Sequence, residues 1–133
     1  MSAMAKRPAR CACGDLSVVA AGEPLKISAC HCHACRHRTG SAFGVAVFFP
    51  REAVKASGEA RVFTRTGTSG QPLDFHFCPA CGTSVLWYPA FRPGLVAIAY
   101  GCFDEPPPPP SQSVHEDSRL PWVGLDLADG QPR

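Results

Sequence analysis

The sequence predicts an all-β domain of antiparallel strands with little helix. Three observations carry that prediction. The apolar segments are short and rich in β-branched and aromatic residues, of which 44–49 (GVAVFF) is the clearest. Turn residues interrupt them throughout, with 12 Gly and 14 Pro among 133 residues, so no apolar run lasts as long as a typical helix. A C-P-A-C-G turn at 78–82 has strand-forming residues on either side, the pattern of a zinc-ribbon-like hairpin.

Taken in order, residues 1–10 read as a disordered tail and 11–133 as one domain. Segments 16–20 and 25–29 are the first two strands, parted by Gly22, Glu23 and Pro24. Segment 33–41 reads as a loop or one helical turn. Segment 44–49 is a strand of the core or of a dimer edge, and Pro50 ends it. Residues 51–53 form a single helical turn, 61–64 a strand, and 64–72 (TRTGTSGQP) a loop. Segments 73–77 and 83–88 flank the CPAC turn, and 95–100 is a further strand. Prolines 106–110 lack ladder donors and read as an extended surface segment. Segment 111–117 adds an edge strand, and the tail packs through Leu120, Trp122 and Val123.

Composition narrows the function. A net charge of +2 is too small for a nucleic-acid or membrane-surface partner, and the basic residues gather at 6–10 and 36–38 without forming a stripe. No stretch approaches the length of a transmembrane helix. The basic N-terminus is followed by no apolar run of the kind a secretion signal needs. The eight cysteines therefore read as reduced thiols of a cytoplasmic protein rather than as a disulfide framework. A monomer and a homodimer are both compatible with the pattern.

Seven of those eight cysteines fall in three clusters: Cys11 and Cys13; Cys30, Cys32 and Cys35; and Cys78 and Cys81. In an extended segment, residues i and i+2 point to one side, so Cys11 and Cys13 can serve a single metal. The C-x-x-C pair needs a tight turn, which Pro79 and Gly82 provide. Cys11, Cys13, Cys78 and Cys81 together would make a closed, structural zinc site, the alternative being that each pair binds metal separately or not at all. Cys30, Cys32 and Cys35 leave a second zinc with an open fourth position, the arrangement of a catalytic metal. His31, His33 or His37 could instead close it, with His33 nearest by spacing, and Cys30 could be merely a buried strand residue.

Two zinc ions per chain are thus expected, and the open one suits an exogenous thiol, which zinc deprotonates. Arg36 and Arg38 stand beside the cluster as cations suited to the carboxylates of such a thiol. His33 or His37 is placed to move a proton. Cys102 reads as a small buried residue, with a redox nucleophile or a fourth metal ligand as alternatives.

With these motifs in hand, the chain resembles the glutathione-dependent formaldehyde-activating enzyme family, which includes centromere protein V-like proteins. The resemblance rests on CACG (11–14), CHCHACR (30–36), Ser69–Gly70, FHFCPACGTSVLW (75–87), YGCFDEP (100–106) and LPWV (120–123), in family order. It implies coiled antiparallel strands around zinc. It implies structural zinc on Cys11, Cys13, Cys78 and Cys81, and a second zinc, where glutathione acts, on Cys30, Cys32 and Cys35. The implied partners are a small thiol and formaldehyde or another small aldehyde, and the implied class is carbon–sulfur lyase. A non-catalytic zinc-binding interaction module and a thiol redox enzyme using Cys102 are the competing readings.

Overall fold

The computed structural model describes residues 5–128. Strands β1 (Lys6–Arg10), β2 (Ser17–Ala21) and β5 (Val54–Ser57) form a three-stranded antiparallel sheet in the order β1-β2-β5. The larger sheet is made of β3 (Lys26–Cys30), β4 (Gly44–Pro50), β6 (Arg61–Thr66), β7 (Pro72–Phe77), β8 (Ser84–Pro89), β9 (Leu95–Ala99) and β10 (Gln112–Val114). Its order is β10-β3-β4-β9-β8-β7-β6. A short helix, α1 (His33–Thr39), links β3 to β4.

Alternation of side chains gives the large sheet two different faces. Ile27, Val47, Phe49, Leu86, Val96 and Ile98 are buried together with Ala9, Leu16, Val18 and Ala20, which belong to the smaller sheet and the turn before it. This is the core between the layers. Phe49, wholly buried, packs on Phe103 with ring centroids 6.3 Å apart. Segment 44–49 is therefore core, since β4 lies between β3 and β9 and has no free edge. On the opposite face lie Leu73, Phe75, Trp87 and Ala97, with Ala46, Phe48 and Ala99 against them. Among the described residues no second layer of strands covers this face, and it carries a cleft.

Four local expectations are corrected. Lys6–Arg10 is a strand paired with β2 rather than part of a disordered tail; residues 1–4 lie outside the described residues. Pro8 is tolerated there because β1 is an edge strand, and Ala9 supplies the buried contact. Segment 33–41 contains a seven-residue helix instead of one turn. Cys32 caps its start, accepting from the Cys35 N–H, and Gly40 in the left-handed conformation ends it. The edge strand at Gln112–Val114 runs parallel to β3, an exception to the antiparallel plan, because the chain returns through the prolines rather than by a hairpin. In the tail, Val123 is buried but Trp122 is 75% exposed, so the tryptophan does not pack as expected.

β5 is a strand that patterning missed, since VKAS offers only Val54 and the small Ala56 as apolar residues and buries neither fully. It is held beside β2 by a turn at Gly58, whose φ of +101° suits glycine; a Cβ there would meet the Asp15 carbonyl oxygen at 1.9 Å.

Candidate metal centres and an adjoining cleft

The four-cysteine cluster joins the turn after β1 to the β7–β8 hairpin. Cys11 leaves the end of β1, and its Sγ accepts a hydrogen bond from the Leu16 N–H at 3.2 Å. Cys78 opens the hairpin turn, where its N–H donates to the Thr83 carbonyl and Gly82 N–H returns to the Cys78 carbonyl at 2.8 Å. Gly82 supports that return with φ +82°. Thr83 joins the two halves: its Oγ1 accepts from the Ala12 N–H at 3.1 Å and lies 3.3 Å from Cys81 Sγ. Hydrogen bonds from Thr83 help draw the Cys81 thiol down to about 5.

The four Sγ atoms lie within 4.8 Å of one another, and the Cys11–Cys13 and Cys13–Cys78 pairs are each 3.7 Å apart. Sulfurs at tetrahedral positions on zinc, with Zn–S about 2.3 Å, would be about 3.8 Å apart. The donor set and its spacing fit the ion.

Cys30, at the end of β3, meets Cys32 and Cys35 across the first turn of α1, and these three sulfurs also lie within 4.8 Å. The Cys35 N–H donates to Cys32 Sγ at 3.3 Å across the first turn of the helix. Hydrogen bonds from the Cys30 and Cys32 sulfurs, with the nearby Arg38 and Arg65 charges, hold the Cys35 thiol at about 5 against the opposing effect of burial. The Cys30 thiol is pushed upward by its bond to Cys35 and by burial. Three sulfurs with one of them readily ionised fit a cation with a further coordination position.

No imidazole joins these three sulfurs among the described residues. His31 is wholly buried, with Nε2 3.0 Å from Ser113 Oγ and its ring against Phe43. It ties β10 to the sheet. His33 is exposed at the start of α1, and His37 is also exposed. Arg36 and His37 line a separate surface hollow beside Leu120 and Trp122.

Arg38 turns the other way, into a cleft of about 340 Å³ that has the three cysteines in its wall. Its guanidinium lies 4.4 Å from the Trp87 ring centroid. Burial pulls its affinity for the proton down, while the adjacent Cys35 works in the opposite direction. Of the pair Arg36 and Arg38, only Arg38 therefore faces the thiols.

Sequence reasoning missed much of this cleft. Lys26, Arg65 and Arg92 line it together with Arg38, and among the described residues no Asp or Glu does. These cations come from three strands or turns with no shared motif, so only the topology unites them. His115 is the cleft's imidazole, one residue beyond Val114, which pairs with Cys30. It is also the non-glycine residue with positive φ, at 55°, among the described residues, a conformation that histidine tolerates better than most. That signal is invisible in sequence. Cys102 lies outside both clusters, in a neighbouring hollow with Cys81 and Tyr100. Burial pushes its thiol up to about 11, which weighs against a nucleophilic role.

Fold and site define a two-sheet β protein with two cysteine clusters able to hold metal ions, one with four ligands and one facing a cleft. The family model "Glutathione-dependent formaldehyde-activating enzyme" matches residues 6–118, and the chain belongs to that family. No curated protein matches it. Among solved structures, the chain is similar to the crystal structure of a Rhodobacter sphaeroides protein solved as a structural genomics target. The two share 18% identity over 73% of this chain and 87% of the other, with a TM-score of 0.58, a likeness of fold. No helix of the described residues is long and apolar enough to cross a membrane.

Proposed function

We propose that the protein is a zinc-dependent, carbon–sulfur lyase-like enzyme that activates a small thiol, glutathione or a relative, for addition to formaldehyde or another small aldehyde. The observation that carries this reading is the three-cysteine cluster in the wall of a cleft lined by cations and, among the described residues, by no carboxylate. Cys11, Cys13, Cys78 and Cys81 would hold a structural zinc, and Cys30, Cys32 and Cys35 a second one. A zinc ion with three sulfur ligands would keep an incoming thiol as its thiolate at neutral pH.

The chain's own residues supply the rest. Arg38 and Arg65 offer fixed positive charge to the carboxylates of such a thiol. In the addition the sulfur forms a bond to the carbonyl carbon, the π pair moves to oxygen, and that oxygen gains the proton the thiol gave up. Arg38, beside Cys35, is placed to stabilise the developing oxyanion, and His115 to pass the proton. Reduced cysteines in these roles suit the cytoplasm.

The test is metal counting followed by glutathione titration of cobalt-substituted protein. Two metals per chain and a thiol-dependent change in the cobalt spectrum are expected. One metal, or a second cobalt blind to thiols, would overturn the reading.

A further inference from the structure

The cleft has more cation and more apolar surface than a thiol and a one-carbon aldehyde would use. Lys26, Arg38, Arg65 and Arg92 line it, and none of them enters an ion pair among the described residues. Three lie against aromatic rings of this sheet face: Lys26 Nζ is 5.0 Å from the Phe48 centroid and the Arg38 guanidinium 4.4 Å from Trp87, both rings of the cleft, and Arg65 is 5.1 Å from Phe75 beside it. A cation on a ring face gives up water without gaining a counter-charge. The Nε atoms of Arg38 and Arg65 are also buried with no hydrogen-bond partner.

The charges divide between two ends. Arg38 stands beside the thiols. Lys26 is four residues from Cys30 along β3, about 13 Å at ~3.3 Å per residue. Arg92 lies at the Lys26 end, where both line one hollow with Leu25, Phe91 and Leu95. Between the ends the floor is apolar: Ala46, Phe48, Leu73, Trp87 and Leu95. It runs out to Leu25 and Phe91, which are exposed.

We propose that the carbonyl substrate is an aldehyde with a medium-chain alkyl or aryl body and a terminal carboxylate. Its carbonyl sits at the three thiols and its carboxylate meets Lys26 and Arg92. This rests on the thiol-addition reading and names the second reactant. The apolar body covers the floor, and the carboxylate neutralises cations that no group among the described residues neutralises. A one-carbon aldehyde reaches neither. The bond changes are those of the same addition: a C–S bond forms, the carbonyl π pair goes to oxygen, and the thiol's proton ends there.

Replacing Trp122, one of two tryptophans, by Phe leaves Trp87 in the cleft floor as the fluorescent reporter. On zinc-loaded Trp122→Phe protein, octanoate is the unreactive probe, 1-octanol lacks its charge and acetate lacks its chain. Octanoate is expected to change Trp87 emission at concentrations at least about tenfold below either control. Lys26→Gln with Arg92→Gln should weaken it about tenfold, and Arg65→Gln less than about twofold. Equal responses to acetate and octanoate, or weakening by Arg65→Gln alone, would overturn the proposal. The cobalt titration separates the two ideas. A thiol response without octanoate binding overturns this inference and leaves the thiol reading standing. Octanoate binding with cobalt blind to thiols overturns the thiol reading and leaves a chain-and-carboxylate site.

Discussion

Gly44 leaves the space in which the Arg38 guanidinium ends: a Cβ at Gly44 would lie 2.9 Å from Arg38 Nη2 and 3.5 Å from Cys35 Cβ. The atom in the way is the tip of a flexible side chain, so the fold can give at little cost. The arginine cannot give without leaving its place between Cys35 and Trp87. Gly44→Ala should therefore shift stability by less than about 1 kcal/mol, as read by thermal unfolding. It should alter Trp87 emission in a Trp122→Phe background and lower glutathione affinity about tenfold, the same loss expected of Arg38→Gln. A variant with wild-type thiol binding would show that Arg38 does not act from this position.

Removing metal should have unequal consequences at the two clusters. Cys11 and Cys13 are held to Cys78 and Cys81 across the turn that joins the layers, so a metal there closes a long loop. Zinc binding at such a site contributes on the order of 10 kcal/mol, comparable with the whole stability of a domain. Cys78→Ser is expected to unfold the protein or leave it strongly destabilised in circular dichroism. Cys32→Ser is expected to lose one zinc by mass spectrometry while keeping the fold. Equal destabilisation by the two changes would contradict this division.

Core and tail separate just as clearly. Phe49 is wholly buried between the sheets and packed at a tilt against Phe103, so Phe49→Ala should cost about 3–5 kcal/mol. Trp122, 75% exposed, should tolerate Ala within about 0.5 kcal/mol. Urea titration of both variants checks the contrast.

The difference between Phe49 and Trp122 also marks what was legible in the sequence. Phe49 stands in a run of strand formers too apolar to face water, so its burial followed from residue type. Trp122 has the same apolar character, but among the described residues no neighbouring strand covers it. The cysteine clusters were legible because metal geometry imposes short spacings that survive in sequence. β1 was not, because KRPAR carries three cations and a proline and contributes Ala9 alone as a fully buried residue. The cationic cleft was least legible. Lys26, Arg65 and Arg92 are spread over β3, β6 and the β8–β9 turn, and only the curl of one sheet brings them together.

Cys102 tests whether a lone thiol contributes to the chemistry. It lies outside both clusters, and burial pushes it up to about 11. Burial disfavours the charged thiolate, so the reactive form is scarce at neutral pH and grows about tenfold with each unit by which the pH rises toward that value. Alkylation of Cys102 by iodoacetamide at pH 7 should be on the order of a hundredfold slower than that of free cysteine. Peptide mass spectrometry over pH 7–9 reads the rate at this one site and should show it rising across the whole range. Cys102→Ser should keep two zinc ions per chain and the same response of cobalt-substituted protein to glutathione. Rapid alkylation at pH 7, or loss of turnover in Cys102→Ser with both metals retained, would instead make this thiol a participant and favour the redox reading.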